Sequence, residues 1–365
     1  MNDMNKRIAV IGAGNGGTAI AAHLALSGAS VNLYDAFPEY TRDIRTEGGI
    51  FLEDGTSSTF AKMNIVAENI GEAIDNVRII MVVTPAFTHK MIADACYKYL
   101  GDGQIVVLNP GRTAGALEFL NRVRRNGCRK DIIVAETQTL IYSCRRLGPK
   151  NVRIYGVKDQ VDIASLPADK VSEVAEALAP YYPQFKPTEN TLCTSLANIG
   201  SMFHPLPMLM NIGRVETDKR GFKYYKEGIS PSVAAMIEKI DSERVSVANM
   251  YGIRMSDAKT WLRKSYPTHG DDLYALIQNN EAYAQITAPE NIGARYIKED
   301  VPTGLVPISE LGRAAHVATP FIDAVITLAG GLYGRDFREE GRSIRNLGLE
   351  HMELQHIKHR FETGE

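Results

Sequence analysis

The sequence predicts an open, doubly wound α/β domain followed by a mostly α-helical domain, and three observations carry that prediction. Strand-like and helix-like segments alternate through the first half of the chain, strand signals nearly vanish past Asn190, and the first strand runs without a gap into a glycine-rich turn. These patterns place the domains at residues 1–189 and 190–365.

The first unit spans Lys6 to Asp35. Ile8 to Ile11 is a short apolar run of the kind buried on both faces of a parallel sheet. Gly12-Ala13-Gly14-Asn15-Gly16-Gly17 follows, then small and helix-forming residues from Thr18 to Leu26, Gly28 where a helix would stop, and a second strand from Ser30 to Tyr34. This is a Rossmann-type βαβ unit. Its glycines let the backbone turn tightly and approach a pyrophosphate, whose charge suits the exposed N–H groups at the start of the helix. Asp35 falls where a carboxylate accepts hydrogen bonds from an adenosine ribose, so Gly12, Gly14, Asn15, Gly16, Gly17 and Asp35 are the candidate cofactor residues.

Further along, Phe37 to Gly48 reads as a polar helix, and Ile50 to Ala67 as a hairpin insertion turning at Asp54-Gly55. Asn69 caps a short helix over Ile70 to Asp75. Val77 to Val83 is a buried strand whose end, Thr84-Pro85-Ala86, belongs on the ligand edge of the sheet, although a proline turn also needs no ligand to explain it. Strands over Gln104 to Leu108 and Asp131 to Ala135 continue the alternation and lead into Asn109-Pro110-Gly111-Arg112 and Glu136-Thr137-Gln138-Thr139. Together they call for a parallel sheet with right-handed crossovers.

Composition narrows the class of function. The chain has 365 residues, 44% hydrophobic and 23% charged, with 41 basic against 43 acidic side chains, so no overall field favours nucleic acid or an anionic membrane. The four cysteines match no metal spacing, which suits a reduced cytoplasmic setting, and the apolar runs are strand-sized. The N-terminus has no apolar signal region. Small-molecule chemistry is the default expectation; a homodimer is compatible with the sequence but not specified by it.

In the second domain, apolar residues at helical spacing mark Ser232 to Met250, Ala258 to Ser265 and Asp271 to Asn279. Gly330-Gly331 and Gly334 read as turns, and the His351 to His359 segment as a solvated terminal helix without enough ligands for a metal. Near the start of the domain, Asn198 and Gly200 interrupt an apolar segment that ends at His204-Pro205. Proline restrains the preceding backbone, and an imidazole at a rigid break is well suited to exchange protons near neutral pH. Spacing alone favours a hydrogen-bonded structural histidine over a catalytic one. Arg295, Glu299 and Asp300 form a later charged cluster, which by local pattern reads as solvated charge or a helix cap.

Taken together and in this order, the glycine turn, Leu108 to Arg112, Glu136 to Leu140, Asn198 to Pro205 and Arg295 to Pro302 resemble the opine dehydrogenases, over nearly the whole chain. The resemblance implies a helical second domain of the 6-phosphogluconate dehydrogenase C-terminal type. It also implies an NAD(P)H-dependent reductive condensation of an amino acid with a 2-oxo acid such as pyruvate. It assigns His204 as general acid and base, Asp300 as the aspartate orienting it, and Arg295 as the grip on an amino-acid carboxylate. Asn198, Thr139 and Thr137 are brought into proximity with the oxo acid. Asp35 argues for NADH because a carboxylate repels a 2′-phosphate, while Arg42 and Arg45 leave NADPH open.

Two rival readings share the layout. A ketopantoate or 2-hydroxyacid reductase would need no amine; the ketopantoate type uses a lysine as proton donor, and none stands between Asn198 and Pro205. A nucleotide-binding sensor would keep the glycine turn but has no use for a proton donor and a carboxylate clamp.

Overall fold

A computed structural model describes residues 6–53, 57–218 and 220–365. The chain divides into two units, residues 1–195 with 359–365, and residues 196–358.

The first unit holds twelve strands among its described residues: β1 (Arg7–Ile11), β2 (Ser30–Tyr34), β3 (Gly49–Glu53), β4 (Ser58–Lys62), β5 (Ile65–Val66), β6 (Ile79–Val82), β7 (Gln104–Leu108), β8 (Ile132–Thr137), β9 (Tyr142–Arg146), β10 (Asn151–Val157), β11 (Val161–Leu166) and β12 (Phe185–Pro187). Eight of them form one sheet in the order β12-β11-β8-β7-β6-β1-β2-β5. Its central strands are the Val/Ile runs of the sequence, buried along their length because helices cover both faces. β1 pairs in parallel with β2 on one side, Ile8 opposite Val31, and with β6 on the other, Ile8 opposite Ile79. The strand order therefore reverses at β1, and the glycine turn leaves the sheet at this switch point, where ligands of such sheets bind.

Two features depart from the sequence expectation. The sheet is not wholly parallel, because β11 returns antiparallel to β8 with Ile163 opposite Thr137. The hairpin of β3 and β4 is also not an isolated insertion: β10 joins β3 in parallel and β9 joins β10, giving a second sheet ordered β4-β3-β10-β9. The Asp54-Gly55 turn lies outside the described residues.

The helix Asn15–Leu26 lies against both sheets. Gly17, Thr18, Ala19, Ile20, Ala21, Ala22 and Leu24 are buried, and the apolar ones among them, Ala19 to Ala22 and Leu24, share one core with Val10 and Val31 of the first sheet and Ile50, Ala61 and Val152 of the second. A helix covered from two sides needs small residues around most of its girth, which is what GGTAIAAHLAL provides. The chain's last residues return to this unit: the Thr191 hydroxyl donates to the Phe361 carbonyl at 2.6 Å, and Arg360 reaches the Asn121 side chain.

The second unit is helical, and its described residues include one isolated bridge, between Lys223 and Thr287. The helix Pro231–Met250 starts at a Ser230 side chain that accepts from the Val233 N–H. Along it, Asp241 and Arg244 form a buried ion pair at 2.7 Å. The pair is completed by Arg244 donating to the Leu196 and Ser256 carbonyls and by the Ala258 N–H donating to Asp241. Buried charges survive when neutralised and hydrogen-bonded in this way. The Gly330-Gly331 pair, expected as a turn, lies inside the helix Pro320–Tyr333, where buried Ile322, Val325, Ile326 and Ala329 outweigh the poor helix propensity of glycine. Gly334 does end that helix, at φ 60°.

Candidate active site

The glycine turn has the shape that a dinucleotide requires. Gly12 sits at φ +109°, and a Cβ there would collide with the Val83 carbonyl at 2.5 Å. A Cβ on Gly17 would overlap the Gly12 carbonyl oxygen, so the helix can begin close against the strand only with glycine at both positions. Around Gly14 nothing lies within 4 Å of a Cβ position, and a side chain on Gly16 would press on Leu140 and Val83. The first turn of the helix from Asn15 thus opens beside a backbone stripped of side chains, the arrangement in which N–H groups receive phosphate.

Asp35 lies at the end of β2. Its Oδ2 accepts from the Ala13 N–H at 2.6 Å and its Oδ1 from the Phe37 N–H at 2.9 Å, which fixes the carboxylate beside the turn. Of the two arginines considered for a 2′-phosphate, Arg45 is committed to the Val66 and Ala67 carbonyls at 2.9 and 3.0 Å, whereas Arg42 is exposed. Thr84-Pro85-Ala86 follows β6, with the Thr88 hydroxyl donating to that of Thr84 at 2.8 Å. Thr139 is half-buried beyond β8, and Thr137 is buried with its hydroxyl donating to the Leu108 carbonyl.

Glu136 is fully buried at the end of β8 and accepts from the Ala116 N–H and from the Thr194 and Ser195 hydroxyls at 2.6–2.9 Å. The Thr113 hydroxyl and Ala114 N–H in turn donate to Ser195. One carboxylate so fixes the loop entering the helix Gly115–Arg125 and residues 194–195, where the chain first leaves this unit; the sequence motif marks Glu136 without revealing this hub.

In the second unit, His204 occupies the break between the helices Gly200–Phe203 and Pro205–Met210. Its Nδ1 is 2.8 Å from Asp300 Oδ2. The Asp300 side chain is fully buried and that of His204 is 15% exposed, so one partner is sealed and the other reaches solvent. Asp300 precedes a π-helical turn, Val301–Leu305, in which the Leu305 N–H donates to the Asp300 carbonyl at 3.0 Å. An ionised carboxylate only accepts, so this contact places the imidazole proton on Nδ1 and leaves Nε2 as the atom that can exchange one.

Two tyrosines complete the setting, and sequence reading missed both roles. The Tyr296 ring stacks on the His204 ring at 4.2 Å and 8°, and the Tyr224 hydroxyl donates to the His204 carbonyl at 2.6 Å. Burial pushes both phenols above their ordinary range, so they stay neutral. Tyr296 is one residue from Arg295, within a stretch whose sequence signal is its charge. Arg295 itself is 61% exposed at the side chain and 3.8 Å from Glu299. Asn198 is buried, its amide nitrogen 3.1 Å from where a Cβ of Gly304 would lie. In the same unit Met208 and Tyr283 are buried, while Trp261 and Tyr266 are half-buried and in edge contact at 5.9 Å.

A dinucleotide turn on a doubly wound sheet, with a carboxylate-paired histidine in a helical unit, defines a two-domain nicotinamide-dependent dehydrogenase. Comparison with known proteins narrows the class. Residues 187–333 match the family described as NAD/NADP octopine/nopaline dehydrogenase, alpha-helical domain, and residues 7–123 match the NAD-dependent glycerol-3-phosphate dehydrogenase N-terminus. An opine dehydrogenase of Arthrobacter sp. (strain 1C) is 41% identical over 94% of this chain and 96% of its own. The chain belongs to the opine dehydrogenase family, and it is an NAD-dependent oxidoreductase. Its fold matches a solved octopine dehydrogenase with NADH and L-arginine at TM-score 0.82 and 20% identity over 98% of both chains. It also matches NADP+-bound yersinopine dehydrogenase at TM-score 0.72 and 15% identity over 99% of both. No helix among the described residues is long and apolar enough to cross a membrane.

Proposed function

We propose that the protein condenses the amino group of an amino acid with a 2-oxo acid such as pyruvate and reduces the resulting imine with NADH, giving an N-(carboxyalkyl) amino acid, and that it runs the reverse oxidation. The observation that carries this reading is the 2.8 Å His204–Asp300 pair in a chain 41% identical to an opine dehydrogenase. Imine formation moves protons on both nitrogen and oxygen, and a group able to give and take one near neutral pH is what it needs.

The reduced nicotinamide supplies the hydride. In this reading His204 Nε2 delivers a proton to the departing carbinolamine oxygen and recovers one from the amine, while Asp300 holds the ring and balances its charge when protonated. Tyr296, flat against the imidazole, limits its rotation. The guanidinium of Arg295, exposed and too far from Glu299 for a hydrogen bond, offers two parallel N–H groups to an amino-acid carboxylate. Asn198, buried in the helical unit, is assigned to contact the oxo acid. Asp35, held at the turn by two backbone N–H groups, favours NADH over NADPH. The four free thiols fit a cytoplasmic location.

The test is NADH oxidation with pyruvate, with and without a panel of amino acids, and mass spectrometry of the product. Amine-dependent oxidation yielding a secondary amine with two carboxylates is expected. Equal oxidation without an amine would replace this reading with that of a simple 2-oxo acid reductase.

A further inference from the structure

The second sheet is joined to the glycine turn through one side chain. Arg146 ends β9, and its guanidinium donates from Nη1 to the Ala13 carbonyl at 2.7 Å, from Nη2 to the Tyr40 carbonyl at 2.9 Å, and from Nε to the Gly148 carbonyl at 3.0 Å, with Pro149 a further acceptor at Nη2. It also lies over the Tyr40 ring, 5.6 Å from the centroid. Two more contacts come from the same strand: the Arg146 N–H donates to Asn15 Oδ1 at 2.9 Å, and the Cys144 thiol donates to the Asn15 carbonyl at 3.3 Å.

Ala13 is therefore held from both ends of its residue. Its N–H is taken by Asp35 at 2.6 Å and its carbonyl by Arg146 at 2.7 Å. Asn15, where the helix begins, is held by β9 through both its carbonyl and its side chain. These are the residues on either side of Gly14, which nothing else crowds. A turn made of glycines is free to adopt many shapes, and without such restraints it would lose that freedom on binding a ligand.

We propose that Arg146 is a positioning residue for the dinucleotide: it holds Ala13, and with it the glycine turn, in the shape that receives the pyrophosphate, and it does so through the backbone without touching the cofactor. Four carbonyl oxygens share its guanidinium, which aims it at the protein and not at a phosphate. The second sheet then has a function of its own, as the arm that carries this clamp. The inference rests on the reading of Gly12–Gly17 as the cofactor turn and is independent of which amine is condensed.

Arg146→Ala and Arg146→Lys test it, with dissociation constants for NADH and NADPH measured by nicotinamide fluorescence alongside kinetics and thermal melting. A clamp acting through the backbone predicts that R146A weakens both nucleotides by about tenfold, the loss of a charge-assisted hydrogen bond, with kcat at saturating NADH and the KM for the amino acid little changed. R146K, which keeps the charge but not the planar fork, should recover part of the affinity. Unchanged affinity in R146A would overturn the inference. So would a loss confined to NADPH, which would mean direct contact with the 2′-phosphate. If R146A does not fold, R146K carries the test, and wild-type affinity for both nucleotides in that variant overturns the inference. Failure of the wild-type protein itself to bind either nucleotide would remove the cofactor reading and the inference with it, whereas wild-type binding matched by R146A removes the inference alone.

Discussion

His204 and Asp300 stand ninety-six positions apart in the chain, yet Nδ1 of one lies 2.8 Å from Oδ2 of the other, and the carboxylate is sealed from solvent. A sealed acceptor dictates which nitrogen of the ring carries the proton. Asp300→Asn preserves the shape but can present an amide donor to Nδ1, which favours the wrong tautomer. It is expected to reduce kcat by about a hundredfold or more, as is His204→Asn, the usual scale of acid–base loss. The affinity for NADH should change by less than about twofold, because neither side chain belongs to the glycine turn. Steady-state kinetics and fluorescence titration separate the two quantities. A rate within a few-fold of wild type in either variant would remove the pair from the mechanism.

Gly304 allows that pair to form. It lies in the π-helical turn just after Asp300, and a Cβ on it would overlap the Ser201 hydroxyl and come within 2.8 Å of Ser201 Cβ, one helical turn before His204. Gly304→Ala must push the two segments apart, at a cost of about 1–3 kcal/mol in stability for overpacking a tight site. Urea unfolding measures that cost, and kcat should fall along with it. Adding Ser201→Ala should not restore either quantity, since the Cβ it leaves is already too near. Full recovery in the double variant would show that only the hydroxyl was in the way.

How legible this arrangement was in the sequence follows from the range of the interactions. The glycine turn, β1, β2 and the Asn69 cap could be read because each is decided within a few residues, by φ angles, buried apolar runs and local hydrogen bonds. His204 was singled out by Pro205, a local restraint, but nothing near it in sequence identified its partner; only the resemblance joined it to Asp300. Arg146 and β9 have no such local signature, because a guanidinium that serves backbone carbonyls leaves no periodic signal. Tyr296 was hidden by the charges on either side of it. The helix containing Gly330-Gly331 was missed for a different reason, since the burial that overrides glycine's propensity is tertiary.

The assignment of the nucleotide ribose to Asp35 is testable through its hydrogen bonds. Its carboxylate already accepts from Ala13 and Phe37, so Asp35→Ser removes both the negative charge assigned to the ribose and a brace on the turn. The ratio of kcat/KM for NADPH over NADH should rise, by about tenfold if the repulsion of a 2′-phosphate dominates, while the value for NADH falls. Arg45, tied to the Val66 and Ala67 carbonyls, should contribute nothing to the switch, so Arg45→Ala added to Asp35→Ser should leave the ratio unchanged. An unaltered ratio in Asp35→Ser would mean that the ribose is read by other residues.

Buried thiols and phenols make the fold sensitive to alkali. Burial pushes the Cys144 thiol up to about 11 and that of Cys96 to about 12, and it raises Tyr182, Tyr224, Tyr225 and Tyr283 well above the ordinary phenol range. In each case the folded state holds its proton more tightly than the unfolded chain. Stability from these groups is therefore complete below about pH 9, where the unfolded thiols also stay protonated, and it declines as pH rises through the folded values. The sign follows because above pH 9 the unfolded chain binds fewer protons than the native one, so the free energy of unfolding falls with pH. Urea midpoints should be level between about pH 7 and 8.5 and drop steadily from about pH 9 to 10.5. Cys96→Ala combined with Cys144→Ala should flatten the first part of that decline, because the thiols leave first and the phenols titrate later. A midpoint that rose across this range would contradict the burial of these side chains.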